Sequence, residues 1–241
     1  MKYTLQQDKH DWRDIIYQPT NTELQPSADL RKWASPVENQ LDLNSCVSNA
    51  VTGSYQLLIN KEAPHLYNNL SRLFLYYNGR VMEGTVDQDT GLTMRDGIKS
   101  VEQCVLCKES LWPYNVNNYN VKPPPESYVD ATSRNIKQYS RITDLNGILD
   151  AVNNDKPVNV GIAVYSNFEL IDAENSILTT DNNAFILGGH AVCIVGYNLQ
   201  QQLVLARNSF GEQWGIQGYF WITFDYMNRF LMDSWVFDIA T

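Results

Sequence analysis

The chain has 241 residues, 44% of them apolar and 19% charged, with a formal net charge of −9. This balance excludes a disordered or collagen-like chain, and the length suits one large domain or two small lobes around a shared cleft. The acidic excess repels phosphate backbones and argues against nucleic acid as a main partner.

The first ten residues hold no apolar run of the kind a secretory signal needs. The nearly uncharged stretch 184–197 is too short to span a bilayer and is broken by Gly188, Gly189 and His190. The expectation is a cytoplasmic monomer without membrane contact, with specialised export left open.

Residues 1–36 are polar and punctuated by Pro19, Pro26 and Pro36, which predicts an extended leader. From Ser45 the pattern turns helical: Ala50, Val51, Tyr55, Leu57 and Leu58 recur at helical spacing, with Ser45 as the expected cap. Further helices are expected over 70–77 and 93–104, where Met94, Ile98 and Val101 share a face, and over 144–153. Residues 112–128, rich in Asn, Pro and Tyr, predict a long connection. Strands are expected over 158–164, 190–196, 202–207 and 218–224. Helices first and strands later imply an α+β protein.

The four cysteines are too sparse for a disulfide scaffold. Cys104 and Cys107 form a C-x-x-C pair, but no second pair or nearby His completes a zinc site, so packed thiols are expected and no metal. Cys193 lies in an apolar run and predicts a core residue. Cys46 differs. It opens the helical pattern, where the dipole of a helix N-terminus favours a thiolate, and a thiolate nucleophile needs a base.

Of three histidines, His10 and His65 lie in polar or loop-like surroundings. His190 stands between Gly188-Gly189 and a strand, where glycines let something approach closely. Asn208 opens the run Asn208-Ser209-Phe210-Gly211; an Asn oxygen that accepts from an imidazole N–H fixes the ring's tautomer without trapping a proton on it. His190 follows Cys46 by 144 residues and Asn208 follows it by 162, near the spacing of Cys-His-Asn enzymes.

These segments together resemble the papain family of cysteine proteases. Asn39-Gln40 followed by Asn44-Ser45-Cys46 resembles its nucleophile segment. Gly189-His190-Ala191-Val192 through Val195-Gly196-Tyr197 resembles its histidine segment, and Asn208-Ser209-Phe210-Gly211 with Trp214-Gly215 and Gly218-Tyr219 its asparagine segment. Arg95-Asp96-Gly97-Ile98-Lys99, Glu109-Ser110-Leu111-Trp112-Pro113-Tyr114 and leader residues Asp11-Trp12-Arg13-Asp14 and Ala28-Asp29-Leu30-Arg31 are similar to the bacterial and viral branch.

The resemblance implies one papain-like domain over 1–241: leader 1–36, a mainly helical lobe over about 37–130, and a mainly β, barrel-like lobe over about 131–241, with the cleft between them. It implies a cysteine-type endopeptidase acting on peptide or protein substrates without a cofactor. Cys46 and His190 would form the dyad, Asn208 would orient the ring, and Gln40 would complete the oxyanion hole. Gly91, Leu92, Gly189 and Trp214 would line the substrate cleft.

The sequence departs from the family at Val47, Asn44 and Phe210, where the family usually carries Trp, Gly and Trp, and at Leu92 in its paired-glycine wall. These departures keep two alternatives open: another acyl-transfer enzyme, of amidase or transglutaminase type, and an inactive papain-like binding module. With 45 residues before Cys46, the leader is expected to be a structural wrap, crossing the cleft or docking on the β lobe, rather than an activation peptide.

Overall fold

A computed structural model describes residues 3–20, 22–66, 68–132 and 134–240. Helix α1 (Cys46–Glu62) is buried on every side from Cys46 to Ile59, as a helix held between two cores must be. One face, with Val51, Tyr55 and Leu58, joins a cluster containing Leu73, Leu75, Met94 and Ile98, and Leu57 faces a second cluster built on the sheet. Helix α2 (Arg72–Glu83) starts at Ser71, whose hydroxyl accepts from Phe74 N–H, and stops at Gly84 in the left-handed region. It outruns the expected 70–77 because Arg80, fully buried, is satisfied by the carbonyls of Val86, Gln88 and Tyr119. Helix α3 (Met94–Cys104) is capped by Thr93. A Cβ on Gly97 would lie 2.5 Å from Val47 Cγ1, so the glycine lets α3 press against α1.

The connection after α3 holds a further short helix, α4 (Pro125–Ala131), which opens on Pro125, a residue suited to a first helical position. Helix α5 (Leu145–Asn153) is capped by Asp144.

The strands are β1 (Ser27–Asp29), β2 (Asn135–Arg141), β3 (Val158–Tyr165), β4 (Ile177–Leu178), β5 (Ile186–Asn198), β6 (Leu203–Arg207), β7 (Tyr219–Thr223) and β8 (Leu231–Ala240), with α6 (Phe224–Phe230) before the last. They form one sheet in the order β2-β8-β3-β5-β6-β7-β4, with β1 added beside β5. Along β8, Trp235, Phe237 and Ile239 enter the helical cluster while Val236 enters the sheet cluster, so this strand serves both cores.

The leader docks along β5 at two points. Its β1 pairs with the far end of β5, Ala28 opposite Tyr197. Its first described residues pair with the near end, Thr4 beside Gly189. Between these points Asp8 is buried, accepting from Arg95 N–H at 3.1 Å and Trp235 Nε1 at 2.8 Å, and Asp14 meets Arg95 at 2.6 Å. All four cysteines are free, and Cys193 is fully buried in the sheet cluster. No helix among the described residues is long and apolar enough to cross a membrane.

Candidate active site

Cys46 is the first residue of α1 and is buried. Ser45 stands at the cap position but caps nothing: its hydroxyl turns to Tyr114 OH at 2.6 Å. The Ser45 carbonyl instead accepts from Ser48 Oγ and Asn49 Nδ2, both at 2.9 Å. The first-turn N–H groups of α1 are therefore not taken by a capping side chain, and they present the positive end of the helix beside the thiol. Asn44 is fixed by Asp89, to which its backbone N–H donates at 3.0 Å and its side-chain amide at 2.9 Å. Burial pushes the Cys46 thiol up to about 11, against the pull of the Ala191 and Val47 backbone N–H groups.

Cys46 shares a core cluster with Ala191, the residue that follows His190 on β5. His190 lies opposite Ile162 of β3. Its Nε2 is 2.8 Å from Asn208 Oδ1. An amide oxygen only accepts, so Nε2 carries the proton and Nδ1 is left as the basic nitrogen. Burial lowers the imidazole to about 4, with the Asn208 bond opposing. Aromatic rings enclose it: Phe210 at 5.1 Å, Phe168 at 5.6 Å and Tyr3 at 5.8 Å between centroids. Trp214 packs behind Phe168 and Phe210 at 5.6 and 5.5 Å.

Asn208 follows β6 and is positioned by its N–H on Gly218 O at 2.9 Å. Gly218 has φ +87° and sits where a Cβ would lie 2.5 Å from Val37, so only glycine suits this turn. The next residue, Ser209, holds Gln40 twice. Its carbonyl accepts from Gln40 N–H at 2.8 Å, and its hydroxyl donates to Gln40 Oε1 at 2.6 Å. Gln40 Nε2 donates to Leu43 O at 2.9 Å, which uses one of its two hydrogens.

The leader packs beside these groups. Gly189 N–H donates to Tyr3 O at 3.2 Å, and Leu5 N–H donates to Gly189 O at 3.1 Å. A Cβ on Gly188 would lie 2.1 Å from Tyr3 O, and one on Gly189 2.3 Å from Leu5 O. Gly91, with φ +84°, faces Thr4, whose Oγ1 would be 2.8 Å from a Cβ there. Leu5 is 3% exposed and fills a pocket opened by Gly161, beside Met94 and Met232.

Residues 24–236 match the family model described as papain family cysteine protease. The chain belongs to the papain family of cysteine proteases. It is 32% identical over 233 residues to an uncharacterized peptidase C1-like protein of Acanthamoeba polyphaga mimivirus, covering 88% of this chain and 74% of that protein. Its fold superimposes on xylellain, a cysteine protease from Xylella fastidiosa, with a TM-score of 0.90 and 30% identity, over 99% of this chain and 96% of the other. Bromelain from Ananas comosus, solved in complex with the E64 inhibitor, shares the fold at a TM-score of 0.70 and 17% identity, over 90% of this chain and all of the other. The papain-like α+β architecture and the assignment to hydrolases rest on these matches.

Within this papain-family frame, Asn208 bonds His190, Ser209 bonds Gln40, Cys46 packs in one cluster with Ala191, and Gly189 and Gly91 both lie against the leader. Leu92 is buried and directs its side chain onto Gly79 of α2, so only its backbone is offered to the cleft. Trp214 stands one ring removed from the imidazole. Sequence reasoning missed Phe168, Tyr3, Leu5 and Gly161. Phe168 sits in a turn after β3 without any motif, and Leu5 is a single apolar residue in a polar leader. Only the paired glycines before His190 signalled that a backbone passes there. Tyr114 stood inside a matched segment with no role attached to it.

Proposed function

We propose that the protein hydrolyses peptide bonds with Cys46 as nucleophile and His190 as general acid and base. The observation that carries this reading is the 2.8 Å bond from His190 Nε2 to Asn208, with Cys46 packed in the same core cluster as the adjoining Ala191. Nδ1 takes the thiol proton, and the thiolate attacks the substrate carbonyl carbon. The π electrons move to oxygen, which receives hydrogen bonds from the Cys46 backbone N–H and from Gln40 Nε2. The carbonyl re-forms as the C–N bond breaks, and Nδ1–H protonates the leaving amine, which leaves a thioester on Cys46. Water then gives a proton to Nδ1 and attacks the thioester, and the Cys46 thiolate departs.

The Tyr3–Leu5 segment uses the backbone edge of Gly189 that an extended substrate beside His190 would need. While it is seated, burial favours a neutral thiol and a neutral imidazole. Substrate access requires its displacement, which readmits water and relieves the cost of a thiolate–imidazolium pair.

Incubation with an epoxide inhibitor of the E64 type, followed by mass spectrometry and an assay on fluorogenic dipeptides, tests the reading. Label on Cys46 and hydrolysis that vanishes in Cys46→Ala are expected. Label without hydrolysis, in full chain and in Leu5→Ala alike, would turn the reading toward acyl transfer to an amine. Neither label nor hydrolysis would leave a binding module.

A further inference from the structure

The two expected oxyanion donors, Gln40 Nε2 and the Cys46 N–H, are joined by a turn with an unfavourable element. Leu41, exposed, has φ +55°, in the left-handed region that a leucine rarely adopts. A turn of this kind does not by itself hold two donors at a fixed separation.

Tyr114, in the loop after α3, spans it. Its hydroxyl lies 2.8 Å from Gln40 O and 2.6 Å from Ser45 Oγ. A carbonyl can only accept, so the single phenol hydrogen goes to Gln40 and the Ser45 hydroxyl donates to Tyr114. Asn49 Nδ2 donates in turn to Ser45 Oγ at 3.1 Å. The bond network thus runs from the body of α1 through Ser45 and Tyr114 to the Gln40 backbone. The other donor to Gln40 O is Leu43 N–H, at a longer 3.3 Å.

Tyr114 is itself immobilised. Its N–H donates to Glu109 Oε1 at 2.7 Å, and the Arg72 guanidinium lies 3.9 Å over its ring. Arg72 Nη1 also donates to Asn49 Oδ1 at 2.9 Å and to Asn39 O at 3.2 Å, gripping both ends of the turn. The same Ser45–Tyr114 bond diverts the hydroxyl that would otherwise cap α1.

We propose that Tyr114 is a positioning residue for the oxyanion hole, its hydroxyl clamping the Gln40 backbone to the start of α1 so that the two donors converge on one oxygen. This rests on the peptidase reading above. Tyr114 touches no substrate atom; it acts through Gln40 and Ser45.

The test compares the full chain with Tyr114→Phe, which keeps the ring on Arg72 and loses only the hydroxyl, alongside thermal melts. The readouts are kcat and KM on a fluorogenic dipeptide, the affinity of a peptidyl aldehyde, and the alkylation rate with iodoacetamide. The aldehyde forms a hemithioacetal whose oxygen needs the hole, whereas alkylation at carbon does not. Tyr114→Phe is expected to lower kcat about tenfold with KM within about twofold, to weaken the aldehyde about tenfold, and to leave alkylation within about twofold. In a Gln40→Ala background the same change is expected to cost less than about twofold, because residues acting as a unit are not additive.

Unchanged kcat and aldehyde affinity, an equal loss in alkylation, or full additivity with Gln40→Ala would overturn the proposal. The aldehyde and alkylation arms do not need turnover. A wild-type chain that binds aldehyde but hydrolyses no peptide would therefore refute the peptidase reading while still deciding the role of Tyr114.

Discussion

The two walls around the thiol are built from different forces. On the Gln40 side the fixing contacts are hydrogen bonds and a cation over a ring: Ser209 and Leu43 on the Gln40 amide, Tyr114 on its backbone, Asn49 and Arg72 behind. On the His190 side one polar contact, to Asn208, sits inside a shell of Phe168, Phe210, Trp214 and Tyr3. Hydrogen bonds fix direction, which suits a wall that must aim donors at developing charge. Aromatic packing excludes water and leaves the ring's charge to be set by burial, which suits a wall that must hold a proton only briefly. The difference makes separate demands on each wall, and mutation should separate them.

The largest effect is expected where the walls meet. Cys46→Ala or His190→Ala should each lower kcat by at least about 10⁴-fold, and the double variant should lose scarcely more, since the two act as one unit. Measured additivity would mean that they do not share a proton.

Phe168→Ala strikes the aromatic wall. The ring is 1% exposed and touches four aromatic neighbours and the imidazole. Its loss should cost about 3–5 kcal/mol in a denaturant melt. It should also move the His190 titration up from about 4 toward its ordinary value as water enters, which imidazole NMR would read. The sign is fixed by the cause: burial disfavours the charged ring, so hydration must raise its pKa. Gln40→Ala strikes the polar wall instead. It should lower kcat by about 10²–10³-fold with little change in the imidazole titration. If both variants shifted the imidazole alike, the contrast between the walls would fail.

Much of this site was legible in the sequence because its chemistry sits at element boundaries that short motifs mark: Cys46 at a helix start, His190 after two glycines, Asn208 at a strand end. The helices Cys46–Glu62, Met94–Cys104 and Leu145–Asn153 were legible in outline, the first two from apolar residues recurring on one face, while the caps Thr93 and Asp144 emerge only in the structure. What stayed hidden depends on distant partners. Ser45 has the composition of a cap, but Tyr114, 69 residues away, takes its hydroxyl. Strand β8 did not stand out because its two faces serve two different cores, and α2 outran its apolar stretch because carbonyls from two loops satisfy a buried Arg80. Leu5 in a run of Gln, Asp and Lys gives no periodic signal at all.

The smallest expected effect concerns that residue, and it decides what the leader is for. Truncating Leu5 to Ala removes part of a buried side chain worth about 1.5–3 kcal/mol when fully covered, so the seated segment should open about tenfold more often. Burial pushes the Cys46 thiol up to about 11 and favours the protonated sulfur; if the seated segment supplies part of that burial, its displacement lets the thiolate form at lower pH. Iodoacetamide should therefore alkylate Leu5→Ala about tenfold faster than the parent chain at pH 8, with the rate–pH profile displaced toward lower pH. Asp8 is held by Arg95 and Trp235, and β1 by β5, so the rest of the leader should stay docked and the melting temperature should fall only slightly. Coincident profiles in the two proteins would make the Tyr3–Leu5 segment a structural wrap with no hold on the thiol, the role expected from its sequence.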